Sequence, residues 1–251
     1  MPEEATGAEA TGVLAQFAAS LGAGDLPASV REHCKDLLLD ALACALSGHQ
    51  GEETHQLEAL AAALAQSGEA SVIGGGRLSL AGATLLNGYL ITATTMCDVH
   101  RATMTHVTPE VIPPALAIAD QDGNSGRDLL AAIAAGCEVT TRIGIGLDYP
   151  EFRKRGWHGP GVLGPFGAAA AVGRLRGFDA ETMARAFGLA GSQAAGTFGL
   201  GNPDGEIPSM PWRPVRPDGR PARGAAIRRD ARIPHRQGRW AVQHLCQRRP
   251  A

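Results

Sequence analysis

From about residue 11 to residue 196 the chain is one helix-length segment after another, each with its own start and stop signals. No alternation of strand-like and helix-like stretches interrupts the run, and no fixed repeat divides it, so an all-α domain is expected rather than an α/β one. A first helix is read over Thr11–Leu21 and closes at Gly22. Pro27 then opens "ASVREHCKDLLLDALACALSG", which ends at Gly48, with Leu37, Leu38, Ala41 and Leu46 on its apolar face. Proline at the start and glycine at the end is the asymmetry that helices favour. Residues 53–66 predict another helix, and Ser71–Ile73 a short extended piece ahead of Gly74, Gly75 and Gly76. Ser79 is placed to cap a helix over 80–95, Ser125 one over 126–146 and Asp179 one over 180–196, while Thr108 and Pro109 open one over 109–120. Residues 161–175, "GVLGPFGAAAAVGRL", are so rich in small side chains that a buried helix packed at short distance is expected.

Composition supports this reading. Aromatic residues are only 4% of the chain, whereas strands draw on aromatic and β-branched side chains. With 44% hydrophobic residues the chain can bury a real core. Cys34, Cys44, Cys97, Cys137 and Cys246 are scattered without a CxxC pair, which supports neither a zinc ribbon nor a disulfide framework. The acidic start, Met1-Pro2-Glu3-Glu4, lacks the basic and apolar regions of a signal peptide. No apolar run is as long as a membrane span needs. The expectation is a cytoplasmic protein without a membrane segment.

Charge divides the chain in two. Residues 213–251 hold 11 of the 23 basic residues, all arginine, and only Asp218 and Asp230 of the 25 acidic ones. Apolar periodicity also fails there. The expected organisation is therefore a helical domain over 1–202 and an irregular Arg/Pro-rich tail over 203–251. Three readings of the tail are open: a disordered basic segment that contacts nucleic acid, an ordinary irregular terminus, or translation out of frame. Arg, Pro, Gly and Ala all have GC-rich codons, and the out-of-frame reading is preferred.

Two polar clusters interrupt the apolar sequence. "MCDVHRATMTHVTPE", residues 96–110, puts Asp98, His100, Arg101 and His106 between two expected helices. Two imidazoles, a carboxylate and a guanidinium suit proton transfer beside an anionic substrate. His106 precedes a helix start, where free N–H groups attract carboxylates. "FRKRGWHGPG", residues 152–161, brings Arg153, Lys154, Arg155 and His158 to the start of the small-residue helix, a setting for several carboxylates. For each cluster the plain alternative is a solvated surface loop. His33, His49 and His55 read as surface residues. Asp98, His100 and His106 lack helical metal-ligand spacing, so no metal is expected. Gly159, Gly161 and Gly164 match GxGxxG, but no strand precedes them, and close helix packing explains them better than a dinucleotide.

Six segments, in order, resemble the MmgE/PrpD family: "LLLDALACALSG" (37–48), "NGYLITATTMCDVHR" (87–101), "HVTPEVIPPALAIAD" (106–120), "SGRDLLAAIAAGCEVTTRIG" (125–144), "RGWHGPGVLGPFGAAAAVGRLRGFDAE" (155–181) and "AFGLAGSQAAG" (186–196). The resemblance spans about residues 10–200. It implies a helical N-terminal domain, a second α+β domain over the active site, a homodimer, and no required metal or organic cofactor. The family includes 2-methylcitrate dehydratase, cis-aconitate decarboxylase and iminodisuccinate epimerase, so the implied substrate is a small di- or tricarboxylate. Its chemistry is acid/base dehydration or decarboxylation. His106 falls where the family has an active-site histidine, His158 on the histidine of its "RGFH" motif, and Asp98 within its Asp-rich stretch. His100 is grouped with these as catalytic, and Arg101, Lys154 and Arg155 as substrate-binding. Met96 and Val99 replace the outer aspartates of that stretch, and His100 stands where many members have threonine. The family's later K-x-x-H-x-G segment has no counterpart, since no lysine follows Lys154. The expectation is a truncated lyase of little or no activity. The alternative is a non-catalytic helical interaction protein whose basic tail contacts nucleic acid; a nucleic-acid partner is not favoured.

Overall fold

The computed structural model describes residues 7–64 and 68–197. These residues form helices α1 (Gly7–Ser20), α2 (Ala28–Gly48), α3 (Thr54–Leu64), α4 (Leu80–Thr92), α5 (Thr108–Asp122), α6 (Gly126–Gly146), α7 (Tyr149–Lys154), α8 (Gly159–Leu175) and α9 (Ala180–Gln193). Between α3 and α4 lies an antiparallel pair, β1 (Ala70–Ser71) and β2 (Arg77–Leu78), with Ala70 opposite Leu78. The fold is all-α, as the sequence predicts. The Arg-rich tail, Cys246 and the boundary placed at residue 202 lie outside the described residues.

The expected caps form. Ser79 Oγ accepts from the Gly82 N–H, Ser125 Oγ from the Asp128 N–H and Asp179 Oδ1 from the Thr182 N–H, each satisfying a donor that the first helical turn leaves open. Several elements differ from the sequence reading: α4 ends at Thr92 and α9 at Gln193, each three residues before the expected end. α1 begins earlier, at Gly7. The basic stretch before His158 contains the short helix α7, which charge alone had made look like loop. Leu46 is 56% exposed instead of lining the buried face of α2. That face consists of small residues, Ala41, Cys44, Ala45 and Gly48, because α4 crosses too closely for leucine. A Cβ on Gly48 would lie 2.1 Å from the Leu90 carbonyl oxygen.

α6 is the central element. Contrary to the expectation from apolar runs, it is long and apolar enough to span a bilayer, yet 78% of its apolar window is buried within the bundle. It crosses α8 backbone to backbone: a Cβ on Gly167 would lie 2.0 Å from Thr140 Oγ1 and 2.9 Å from the Gly136 carbonyl oxygen. This is the close packing read from the glycines of residues 161–175. The main core joins Leu90, Ile91, Val111, Ile112 and Ile133 of α4, α5 and α6. A second core packs α1 and α9 on α6 and α8 through Ala15, Val139, Ala170, Met183 and Phe187. A third and smaller one, Tyr149, Phe152 and Leu163, seats α7 against α8 next to the polar clusters.

Candidate functional site

The segment between α4 and α5 folds back on itself and presents two of its polar residues toward the start of α5. The His100 N–H donates to the Thr105 carbonyl at 2.8 Å, closing a tight loop whose tip carries exposed Arg101. Asp98 Oδ1 accepts from the Thr108 N–H at 2.9 Å and from the Thr108 hydroxyl. Its carboxylate thus caps α5 and neutralises the positive helix end. The Asp98 carbonyl lies 2.8 Å from His106 Nδ1, and Cys97 Sγ lies 3.3 Å from the same atom. A carbonyl can only accept, so Nδ1 carries the proton of the neutral ring and Nε2 its lone pair. One aspartate therefore both caps a helix and fixes the tautomer of a histidine.

The second cluster meets the first from the side of α7 and α8. His158 occupies the N-cap position of α8, and its N–H donates to the Gly196 carbonyl at 2.9 Å. Burial lowers the His158 pKa below its ordinary 6.5, with further lowering from the Arg153 charge and from the neighbouring His106. The two imidazoles thus sense each other across 52 positions of sequence. Tyr149 packs beside them; its hydroxyl donates to the Met104 carbonyl at 3.5 Å and engages Thr105 and Arg153. Burial raises the phenol's pKa, and Arg153 counteracts that rise. A Cβ on Gly159 would lie 2.5 Å from the Tyr149 hydroxyl and 2.8 Å from Thr105 Oγ1, so a side chain there would push both hydroxyls aside. Pro165 removes the N–H that would bond the Gly161 carbonyl within α8, and the Ala195 N–H donates to that carbonyl instead. Residues 194–197 consequently lie across the start of α8, beside His158, with Trp157 bridged to Thr197.

Glu110 stands behind this layer, in the first turn of α5. Its Cγ fills the place a side chain on Gly164 would take, 2.4 Å from a Cβ built there. Part of the residue touches solvent, but Oε2 is buried and has no hydrogen-bond partner among the described residues. Burial raises its pKa to about 8, and the nearby Asp98 charge adds to the rise. Burial also pushes the Cys97 thiol up to about 12, with Asp98 again adding, so this cysteine stays a thiol whose sulfur is a weak acceptor beside the protonated His106 Nδ1, and it is no nucleophile. Three non-glycine residues among those described have positive φ: Thr95 (49°), Met104 (48°) and Asp148 (49°), all in the segments that flank the site. Such backbone costs of order 1–3 kcal/mol per residue and clusters at functional sites.

Each sequence-derived residue can now be placed. Asp98 and His106 are joined directly, and His158 is brought near them. The His100 ring nitrogen Nδ1 lies 2.8 Å from Thr103 Oγ1, so this ring helps close the loop. Lys154 is exposed and paired with Glu151, and Arg155 is exposed. Of the three adjacent basic residues it is Arg153, half-buried, that engages Tyr149 and influences His158. Glu110, Tyr149, Cys97 and Thr108 were not singled out as site residues from the sequence. A glutamate in the first turn of one helix and a glycine-rich helix close by is a weak signal that could have flagged Glu110. Among the described residues no group of three or more His, Cys, Asp or Glu side chains is placed to hold a metal ion.

Comparison with known proteins points to one family. The family model for the MmgE/PrpD N-terminal domain matches residues 12–205. The cis-aconitate decarboxylase-like protein oryM of Aspergillus oryzae is 32% identical over 194 residues, which cover 74% of this chain and 40% of that protein. The cis-aconitate decarboxylase of Aspergillus terreus is 31% identical over 192 residues, 74% of this chain and 39% of that protein. The chain thus spans about 40% of the length of the curated relatives it matches. The matched region runs from α1 past the last described residue and holds both histidines, the capping aspartate and the glycine-rich α8. By that match over most of its length, the chain belongs to the MmgE/PrpD family.

Proposed function

We propose that this chain carries the histidine-bearing part of a lyase site that acts on a small di- or tricarboxylate by acid/base chemistry. The observation that carries the reading is the Asp98–His106–His158 arrangement. One imidazole has its tautomer fixed by a backbone carbonyl, and a second, with lowered pKa, sits beside it at the N-terminus of α8. In a dehydration His106 Nε2 takes the proton next to a carboxyl group while His158 gives a proton to the leaving hydroxyl, which departs as water; in a decarboxylation the C–C bond breaks to release carbon dioxide and one of the two rings, protonated, returns a proton to the carbanion left behind. Arg153 and the N-terminus of α8 attract the ligand's carboxylates. Relatives named as cis-aconitate decarboxylases make cis-aconitate the first ligand to try. A second domain over the site, as the family resemblance implies, would exclude water and add cations. The functional unit is proposed to be a homodimer.

The test is an NMR titration of the ring resonances of His106 and His158 with cis-aconitate, alongside an assay of carbon dioxide release. Both rings are expected to shift at millimolar ligand, and His158→Ala is expected to abolish the His106 response or weaken it by at least about tenfold. Tricarballylate, which lacks the double bond, should shift the same rings without release of gas. If neither ring responds to either acid, the assignment is wrong.

A further inference from the structure

We propose that Glu110 sets the charge of this site: its buried side chain carries a proton beside the Asp98 carboxylate, the two together present one negative charge to the histidines, and loss of that proton weakens the binding of an anionic ligand. The geometry carries the inference. Asp98 Oδ1 is bonded to Thr108, the first residue of α5, two positions before Glu110. The Glu110 side chain occupies a place on α8 that only glycine leaves open. Among the described residues Oε2 is buried without a partner, which a carboxylic acid tolerates far better than a carboxylate. Among the same residues no cation acts on it. The titratable groups acting on this region are Asp98 and Cys97 from the loop, with Cys137 from α6. α8 offers Gly164 at the contact, and its one charged residue, Arg174, lies in its last turn, where it donates to the Leu21 carbonyl. α4 contributes no charged residue at all. A second carboxylate formed here would add negative charge beside Asp98, whose own backbone orients His106.

Glu110 is a positioning residue in this scheme and touches no reacting atom. The ligand arm of the test rests on the carboxylate reading above; the titration arm does not. The wild-type chain, labelled with 13C in glutamate carboxyls, is titrated from pH 4 to pH 9.5, and the Glu110 signal is assigned by its loss in Glu110→Gln. A midpoint near 8 is expected, with an echo at the same pH in the His106 ring shifts that Glu110→Gln removes. Citrate serves as the anionic probe. Its affinity is expected to fall several-fold more in wild type than in Glu110→Gln between pH 7 and pH 9, the ordinary loss of histidine charge being common to both. A Glu110 midpoint in the ordinary range near 4.5 overturns the inference, whether or not the variant folds. So does an identical pH dependence of citrate binding in the two proteins. If citrate binds neither protein at pH 6, the carboxylate-ligand reading fails, and the carboxyl midpoint with its histidine echo still decides the role of Glu110.

Discussion

Two residues of the site respond to pH in opposite directions, and folding stability should record both. Glu110 holds its proton more tightly in the folded chain, near pH 8, than in the unfolded one, near 4.5. Its contribution to stability is full below pH 4.5 and is lost as pH rises toward 8. His158 runs the other way. Its folded pKa is held below 6.5, so its contribution is full above 6.5 and is lost as pH falls through the folded value. Urea midpoints measured from pH 5 to pH 9 are expected to show wild type losing stability relative to Glu110→Gln as pH rises to 8. His158→Asn should lose less than wild type between pH 6.5 and pH 5. Parallel curves for a variant and wild type would contradict the corresponding assignment. At this scale the sequence was legible where chemistry and helix starts coincide. His106 and His158 each precede a segment with clear helix-opening residues, so their position at helix ends could be read directly. Glu110 could not, because its burial depends on which helix crosses α5 and on that helix being glycine at the point of contact. Nor could sequence choose among Arg153, Lys154 and Arg155; successive helical residues point about 100° apart, and only the packing of α7 decides which one faces inward.

At the scale of elements, small residues determine how closely the helices approach. Gly167→Ala drives a methyl group into Thr140 Oγ1 and the α6 backbone, an overpacking expected to cost about 1–3 kcal/mol. For a domain of this size that lowers Tm by roughly 2–10 °C. Gly188→Ala is the control. It lies exposed within α9 with nothing within 4 Å of the added Cβ, so it should raise stability by about 0.5–1 kcal/mol. Differential scanning calorimetry of both variants checks the pair, and equal shifts would remove the argument for the α6–α8 contact. Helix existence and caps were readable because capping needs only local chemistry, as Ser79, Ser125 and Asp179 show. The buried face of α2 was not. Leucine spacing pointed to Leu46, while the actual face was decided by the distance of approach to α4.

For the whole molecule, α6 lies at the centre, shared by the main core and by the one that holds α1 and α9. Hydrogen exchange is expected to rank accordingly. Amides of residues 130–141 in α6 and 115–119 in α5 should exchange slowest, and those of the β1–β2 hairpin and the loop tip at 101–104 fastest. Fast exchange in α6 would mean that the helices do not form one cooperative body. The overall class followed from the unbroken helical periodicity, whereas the convergence of residues 98, 106 and 158 was visible only after the helices had packed. The segment after α9 adds a mechanical consequence. Because Pro165 leaves the Gly161 carbonyl to be bound by Ala195, and Gly196 takes the His158 N–H, residues 195–197 form a clasp built on the histidine's own main chain. A displacement of residues 195–197 is therefore felt at Trp157, His158 and the first turn of α8 together. The histidine is thus coupled to its downstream chain as a gauge is to a wire, and its ring resonance would report a change there before the fold itself yields.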